Sequence, residues 1–201
     1  MEDDRELLAA WHAGDRAKGE ALFERHFDAV YRFFASKVDA ADVADLVQKT
    51  FLGCVEAAAS FRGEASGRAF FFGIARHQLY RYYRARRRSP DLDFGVSSVA
   101  DLAPSPSSAM ARVQQERLLG EALRRIPLDL QVALELRYRE GLRGPELAQV
   151  LETPEGTVRS RLRRGLTAVR REIEAMSASR EECRRALGSV DEWLRSTEAA
   201  E

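Results

Sequence analysis

"TPEGTVRSRLRRGLTAVRR", Thr153 to Arg171, gathers arginines and holds no acid after Glu155, in a chain whose formal net charge is zero. Positive charge is concentrated here and offset elsewhere. Thr153 suits an N-cap, Pro154 the first helical position and Glu155 the positive end of the helix dipole, so the stretch reads as a helix. Val158, Leu162, Leu166, Val169 and Ile173 recur at spacings of four, four, three and four. At roughly 3.6 residues per turn they form one narrow apolar stripe that faces a core. Opposite lie Ser160, Arg164 and Arg171, with Thr157 and Arg163 on the shoulders. Arg159 and Arg161 flank the stripe and can bury their stems along it.

Such a face is either a solvated helix surface or a nucleic-acid contact, and its neighbour favours the second. "GLRGPELAQVL", Gly141 to Leu151, reads as a turn followed by a helix that starts at Pro145 and keeps Leu147, Ala148 and Leu151 on one side. Two helices joined by the short "ETP" link make a helix-turn-helix, whose second helix enters the major groove with its N-terminal residues near base edges. Arginine suits that task because its fork matches the two acceptors of guanine and also grips phosphate, a good base contact discriminating by about 1–3 kcal/mol.

Outward from this motif, 201 residues with 45% hydrophobic and 32% charged side chains describe a soluble globular chain of one or two domains. The longest apolar run, "AFFFGIA" (Ala69 to Ala75), is closed by Arg68 and Arg76, too short for membrane insertion. The acidic start "MEDDRELLAAW" is unlike a signal peptide, so a cytoplasmic location is expected. Cys54 and Cys183 lie far apart, and His12, His26 and His77 are scattered, so neither a metal site nor a cofactor is expected. With no P-loop, Rossmann fingerprint, HExxH or nucleophile elbow, the chain does not read as an enzyme.

The organisation is all-α: two small helical domains joined by a flexible linker. "SPDLDFGVSSVADLAPSPSSA" (Ser89 to Ala109) is rich in Ser and Pro and lacks helical periodicity. This sets an N-terminal domain at 1–88, a linker at 89–108, a C-terminal domain at 109–174 and an extension at 175–201. The pattern predicts helices over Arg5 to Ala13, Arg16 to Lys37, Ala40 to Ala59 and Gly67 to Arg88, then Ala109 to Arg125 and Asp129 to Glu140 before the helix-turn-helix. A second basic block, "RAFFFGIARHQLYRYYRARRR" (Arg68 to Arg88), interleaves arginines with aromatics and contains no acid. Phe71, Ile74, Ala75 and Gln78 mark a buried side, and at least half of the aromatics belong to packing. Basic groups among aromatics also fit a surface that stacks unpaired bases, at about 1–3 kcal/mol per base.

Three segments, "DVADLVQKTFLGCV" (Asp42 to Val55), "FRGEASGRAFFFGIARHQLYRYYRARRR" (Phe61 to Arg88) and "LELRYREGLRGPELAQVLETPEGTVRSRLRRG" (Leu134 to Gly165), resemble in this order the signatures of extracytoplasmic-function (ECF) sigma factors, a two-domain bacterial class. The resemblance implies that Asp42, Asp45, Leu46, Gln48 and Thr50 dock on the clamp helices of the polymerase largest subunit. It implies that Phe61, Arg62 and Gly63 of a loop, with Arg76, His77 and Tyr80 of the following helix, meet the opened −10 strand. Thr157, Arg159, Ser160, Arg163 and Arg164 would meet the −35 element. Implied partners are core RNA polymerase, including its flap region, promoter DNA and an anti-sigma factor. The chain departs from the signatures at Ala44 and Lys49 (glutamates in the family), Val55 and Phe70 (tryptophans), Gly73 (arginine), His77 (asparagine) and Arg81 (aspartate). The alternatives are a stand-alone helix-turn-helix regulator and a degenerate sigma-like polymerase-binding protein; a plain regulator needs neither the acidic helix nor the basic aromatic block.

The tail "SASREECRRALGSVDEWLRSTEAAE", Ser177 to Glu201, extends past the usual end of that family. Ser179 and Glu182 form a capping-box pattern, and Cys183, Ala186, Leu187, Val190 and Leu194 fall at helical spacing beside Trp193. An amphipathic helix is predicted, docked on the chain's own domains in preference to a partner.

Overall fold

The computed structural model describes residues 3–58, 66–102 and 114–198. In chain order the helices are α1 (Asp4–His12), α2 (Arg16–Ala35), α3 (Ala40–Ala58), α4 (Gly67–Arg87), α5 (Val99–Leu102), α6 (Gln114–Arg125), α7 (Leu128–Tyr138), α8 (Gly144–Leu151), α9 (Glu155–Met176) and α10 (Arg180–Glu198). Helices α2, α4, α9 and α10 start where a short polar side chain or a proline carbonyl accepts free N–H groups of the first turn. The Asp15 carboxylate accepts from the backbone of Ala17 and Lys18 to start α2. The Ser66 hydroxyl accepts from Ala69 N–H to start α4. The second helix of the helix-turn-helix begins later than a Thr153 cap would place it. Pro154 is the N-cap, in an extended conformation, and its carbonyl accepts the N–H groups of Thr157 and Val158.

Helices α2, α3 and α4 pack around Phe33, Phe34, Leu46, Phe51, Phe71, Phe72 and Leu79, with α1 laid across their end through Leu7 and Leu8. The buried His26 holds α1 in place: its Nε2 is 2.8 Å from an Asp4 carboxylate oxygen and its ring stacks on Phe71 at 4.7 Å. That hydrogen bond holds the Asp4 carboxyl below its usual range, against the opposing effect of burial.

A second core joins α6, α7, α9 and α10 through Leu123, Ile126, Leu130, Leu134, Val169, Ile173, Ala186 and Val190. Gly165 allows α9 to cross α7 closely, since a Cβ there would stand 3.0 Å from Leu134. The tail forms α10, started by Ser179, whose hydroxyl accepts from Glu182 N–H at 3.1 Å while Glu182 accepts from Ala178 N–H. It docks on the chain's own second domain, with Trp193 against Tyr138 at 5.4 Å.

Two features go beyond the two-domain expectation. Residues 89–102, read as linker, are packed: Phe94 is buried and stacks on Tyr80 at 4.2 Å, Val99 and Leu102 are buried, and Ser98 pairs with Pro127 in an isolated bridge. Three apolar residues spaced five and three apart repeat with neither helical nor strand period, so no pattern announces them. The first apolar core also continues into the second domain, taking in Leu128, Val132 and Leu136 of α7, Leu147, Val150 and Leu151 of α8, and Val158 of α9. The expected helix start at Ala109 lies outside the described residues.

Candidate nucleic-acid interface

The first turns of α9 present the open cationic face. Arg159, Arg163 and Arg164 are exposed and carry no ion pair among the described residues. Thr157 and Ser160 are half-buried beside them, and the Ser160 hydroxyl donates to the Thr157 carbonyl at 2.9 Å. Arg161 turns the other way and meets Asp129 at 3.4 Å. Beneath the face Val158, Val169 and Ile173 are fully buried, so the apolar stripe fixes which side of the helix looks outward.

Helix α4 brings Arg76, His77 and Tyr80 together, with the Arg76 guanidinium 4.7 Å from the Tyr80 ring centre. Phe61, Arg62 and Gly63 lie outside the described residues. The aromatics of this helix are core: Phe71, Phe72, Tyr80 and Tyr83 are buried, Phe70 and Tyr82 half-buried. Tyr80, expected to meet the opened strand, is enclosed on all of its functional atoms. Its ring is covered by Phe94, its hydroxyl donates to Asp129, and burial, reinforced by the Asp129 charge, pushes its pKa up. Arg76 donates to Glu152 at 3.2 Å and to the Val150 carbonyl at 3.3 Å, and His77 Nε2 stands 2.9 Å from the other Glu152 oxygen. Arg81 and Arg84 remain exposed along the helix, and Arg86 is held by Asp39 and Asp42.

On α3 the five expected contact residues divide. Asp45 and Gln48 are exposed, Asp45 with Lys49 at 2.6 Å. Asp42 accepts from the Tyr82 hydroxyl at 2.6 Å and from Arg86 at 3.2 Å, tying α3 to α4. Leu46 and Thr50, expected at the same contact, are core positions: both are buried, and the Thr50 hydroxyl donates to the Leu46 carbonyl at 2.8 Å. They face the core and so position the helix. The structure adds what the sequence reading missed, an apolar groove of about 340 Å³ between α2 and α3, lined by Phe27, Tyr31, Ala44, Gln48, Leu52 and Val55. Leu52 and Val55 are 54% and 52% exposed. Contiguous exposed apolar area of this kind is where proteins, membranes or ligands bind. Its sequence signal is the spacing of Phe23, Phe27 and Tyr31, which α2 masks because Leu22, Val30 and Phe33 supply a second, inward stripe.

Among the described residues no group of three or more His, Cys, Asp or Glu side chains is placed to hold a metal ion. Among the same residues no helix is long and apolar enough to cross a membrane.

The geometry agrees with what the chain resembles. Residues 22–89 match the family model described as Sigma-70 region 2, and residues 116–169 match Sigma-70, region 4. The chain is 28% identical over 182 residues to the ECF RNA polymerase sigma-E factor of Haemophilus influenzae, covering 86% of this chain and 96% of that protein. It is 29% identical over 187 residues to the RNA polymerase sigma-H factor of Pseudomonas aeruginosa, covering 88% and 96%. Its fold is shared with CnrH, solved in complex with the cytosolic domain of CnrY: TM-score 0.66 at 23% identity, over 88% of this chain and 100% of that one. It is also shared with RpoE of Bartonella quintana, solved with the anti-sigma factor NepR, at TM-score 0.60 and 21% identity, over 79% and 98%.

Proposed function

The chain belongs to the ECF sigma factors, which bind core RNA polymerase and direct promoter-specific transcription initiation, and we propose how its surfaces divide that work. The second domain meets the −35 duplex through Thr157, Arg159, Ser160, Arg163 and Arg164. The first meets the opened −10 strand through Arg76 and His77, together with Phe61, Arg62 and Gly63. Asp45 and Gln48 with the groove between α2 and α3 receive the polymerase, where an apolar centre beside charged residues is the usual anatomy of a protein contact. The units are 1–88, 89–108, 109–174 and 175–201.

The observation that carries this reading is the occurrence, in one chain, of arginines on α9 that are exposed and without an ion pair among the described residues and of an exposed apolar groove on the other domain. A helix-turn-helix regulator has use for the first and not for the second. As a polymerase subunit the chain catalyses nothing itself, and it works in the cytoplasm with the polymerase. An anti-sigma partner is part of the proposal, by analogy with the bound state of RpoE with NepR.

Run-off transcription with purified core polymerase, on a library of genomic fragments, tests it. Transcripts that start at discrete sites only when the chain is added are expected. Specific DNA binding with no transcript at any fragment would overturn it in favour of a stand-alone regulator.

A further inference from the structure

Helix α10 lies beyond the match to Sigma-70, region 4, which ends at residue 169, and it rests on a face formed by α6, α7 and α9. This face belongs to the second core and not to the contact between the domains. That contact has a centre of its own, where Lys37 and Glu135 of α7 meet, both buried, at 2.5 Å beside the apolar residues of α7 and α8. Beneath α10 the second domain holds an apolar groove floored by Leu123, Val169 and Ile173, with Tyr138 at its edge. A groove of this kind takes the apolar side of an amphipathic helix, and α10 shows the fit.

Helix α10 fills this groove without being built to stay in it. Among its described residues the fully buried ones, Ala186 and Val190, are small, whereas Cys183, Leu187, Trp193 and Leu194 keep part of their surface in water. Asp191 meets Arg170 of α9 at 3.0 Å, but the two side chains are 52% and 45% exposed, so the pair is screened and holds weakly. Gly188 stands in the middle of the helix on its exposed side, and a Cβ there would meet nothing within 4 Å. Neither a turn nor a close approach asks for glycine at this position, so it only weakens the helix. A 19-residue helix needs its packing to persist, and a competing helix that buries larger side chains would displace it.

We propose that the groove of α6, α7 and α9 is a docking site for an amphipathic helix of core RNA polymerase, and that α10 occupies it in the free chain and leaves it on assembly. The groove lies on the buried side of α9, opposite the exposed Arg159, Arg163 and Arg164, so a polymerase helix and the duplex bind together without collision. Its apolar floor offers nothing to phosphates, which leaves the polymerase and not the promoter as the occupant. The extension thereby sets how tightly the second domain engages the polymerase, because apparent affinity falls in proportion to the fraction of chains whose groove is open. This rests on the assignment of the chain as a polymerase-binding subunit.

Cys183 reports the state of α10, since it is half-buried against the groove, while Cys54 is fully buried in the first core, where burial pushes its thiol up and silences it. The full chain is pulsed with a maleimide, alone and with purified core polymerase, and labelling at each cysteine is read by mass spectrometry. Core polymerase should raise the Cys183 rate about fivefold or more and leave Cys54 unlabelled. Gly188→Ala strengthens α10 without touching a neighbour. It should raise Tm, slow Cys183 labelling and weaken core binding by about two- to fivefold, the range that helix propensity allows. Leu187→Ala with Leu194→Ala, which loosens α10, should reverse all three effects. A purely structural extension would instead give a more stable Gly188→Ala chain with unchanged core binding. If the loosened chain does not fold, Gly188→Ala carries the test alone. Cys183 equally protected with and without polymerase, or an unchanged core affinity in Gly188→Ala, would overturn the proposal. Labelling that rises with the concentration of the chain itself, without polymerase, would overturn it in favour of a second copy as occupant. Core polymerase bound by neither wild type nor variants would overturn the polymerase reading itself.

Discussion

Arg159, Arg163 and Arg164 on α9 stand exposed without an ion pair among the described residues, whereas Arg76 and His77 on α4 both rest on Glu152. In sequence the two helices look alike, each holding a long basic run without acids, Gly156 to Arg171 on α9 and Gly67 to Arg87 on α4. The difference lies in how much of each helix is buried. The α9 stripe is narrow and leaves a broad cationic face, while α4 carries apolar and aromatic residues around most of its circumference and serves as the central helix of the first core. A run of arginines therefore shows where cations gather; only the fold decides whether they are free.

The comparison breaks most sharply at the contact between domains. Lys37→Met leaves Glu135 buried without its cation and should destabilise the protein by about 3–5 kcal/mol in urea denaturation. The double variant Lys37→Met, Glu135→Leu should recover most of that loss. A single variant as stable as wild type would show that the pair is not buried in solution.

Removing residues from Ser177 onward takes away α10, uncovering Val169, Ile173 and Tyr138 behind the open face. Two or more kcal/mol of lost packing should lower Tm by about 5 °C or more. An unchanged Tm would show that the extension contributes nothing to the scaffold of α9.

Arg164→Ala probes the open face itself. Promoter binding should weaken by about 1–3 kcal/mol if Arg164 contacts a base, without change in Tm because the side chain supports nothing in the fold. Unaltered promoter selectivity would remove Arg164 from the reading surface. Leu52→Asp, in the groove of the other domain, should cost at least about 1 kcal/mol in association with core polymerase and leave duplex DNA binding intact. Normal recovery of core polymerase by this variant would exclude the groove.

The smallest expected effect is at Asp4, which anchors α1 on α2 through His26. Its folded-state pKa is lowered, first by that hydrogen bond, so its stabilisation is present above the unfolded carboxylate value and is lost as the pH falls through the folded one. Asp4→Asn should thus cost less than about 1 kcal/mol near neutral pH and nothing at low pH, in denaturation curves taken across the acid range. A difference that persists at low pH would assign the effect to packing.

Much of this molecule is legible in one dimension. Helix positions follow from periodic apolar residues and from caps such as Asp15, Ser66 and Ser179, because both act over a few residues of chain. The outward side of α9 follows from its stripe, and the internal docking of α10 from an apolar face that could not stay wet. The burial of Tyr80, the inward turn of Leu46 and Thr50, and the groove of Phe27, Tyr31, Leu52 and Val55 were decided by which of two apolar sides of a helix met a neighbour. Lys37 and Glu135, and Glu152 with Arg76 and His77, lie about a hundred and about seventy-five residues apart, and no local pattern couples them. Local propensity and periodicity write the elements into the sequence; the free or covered state of a charged side chain depends on residues brought close only when the helices pack.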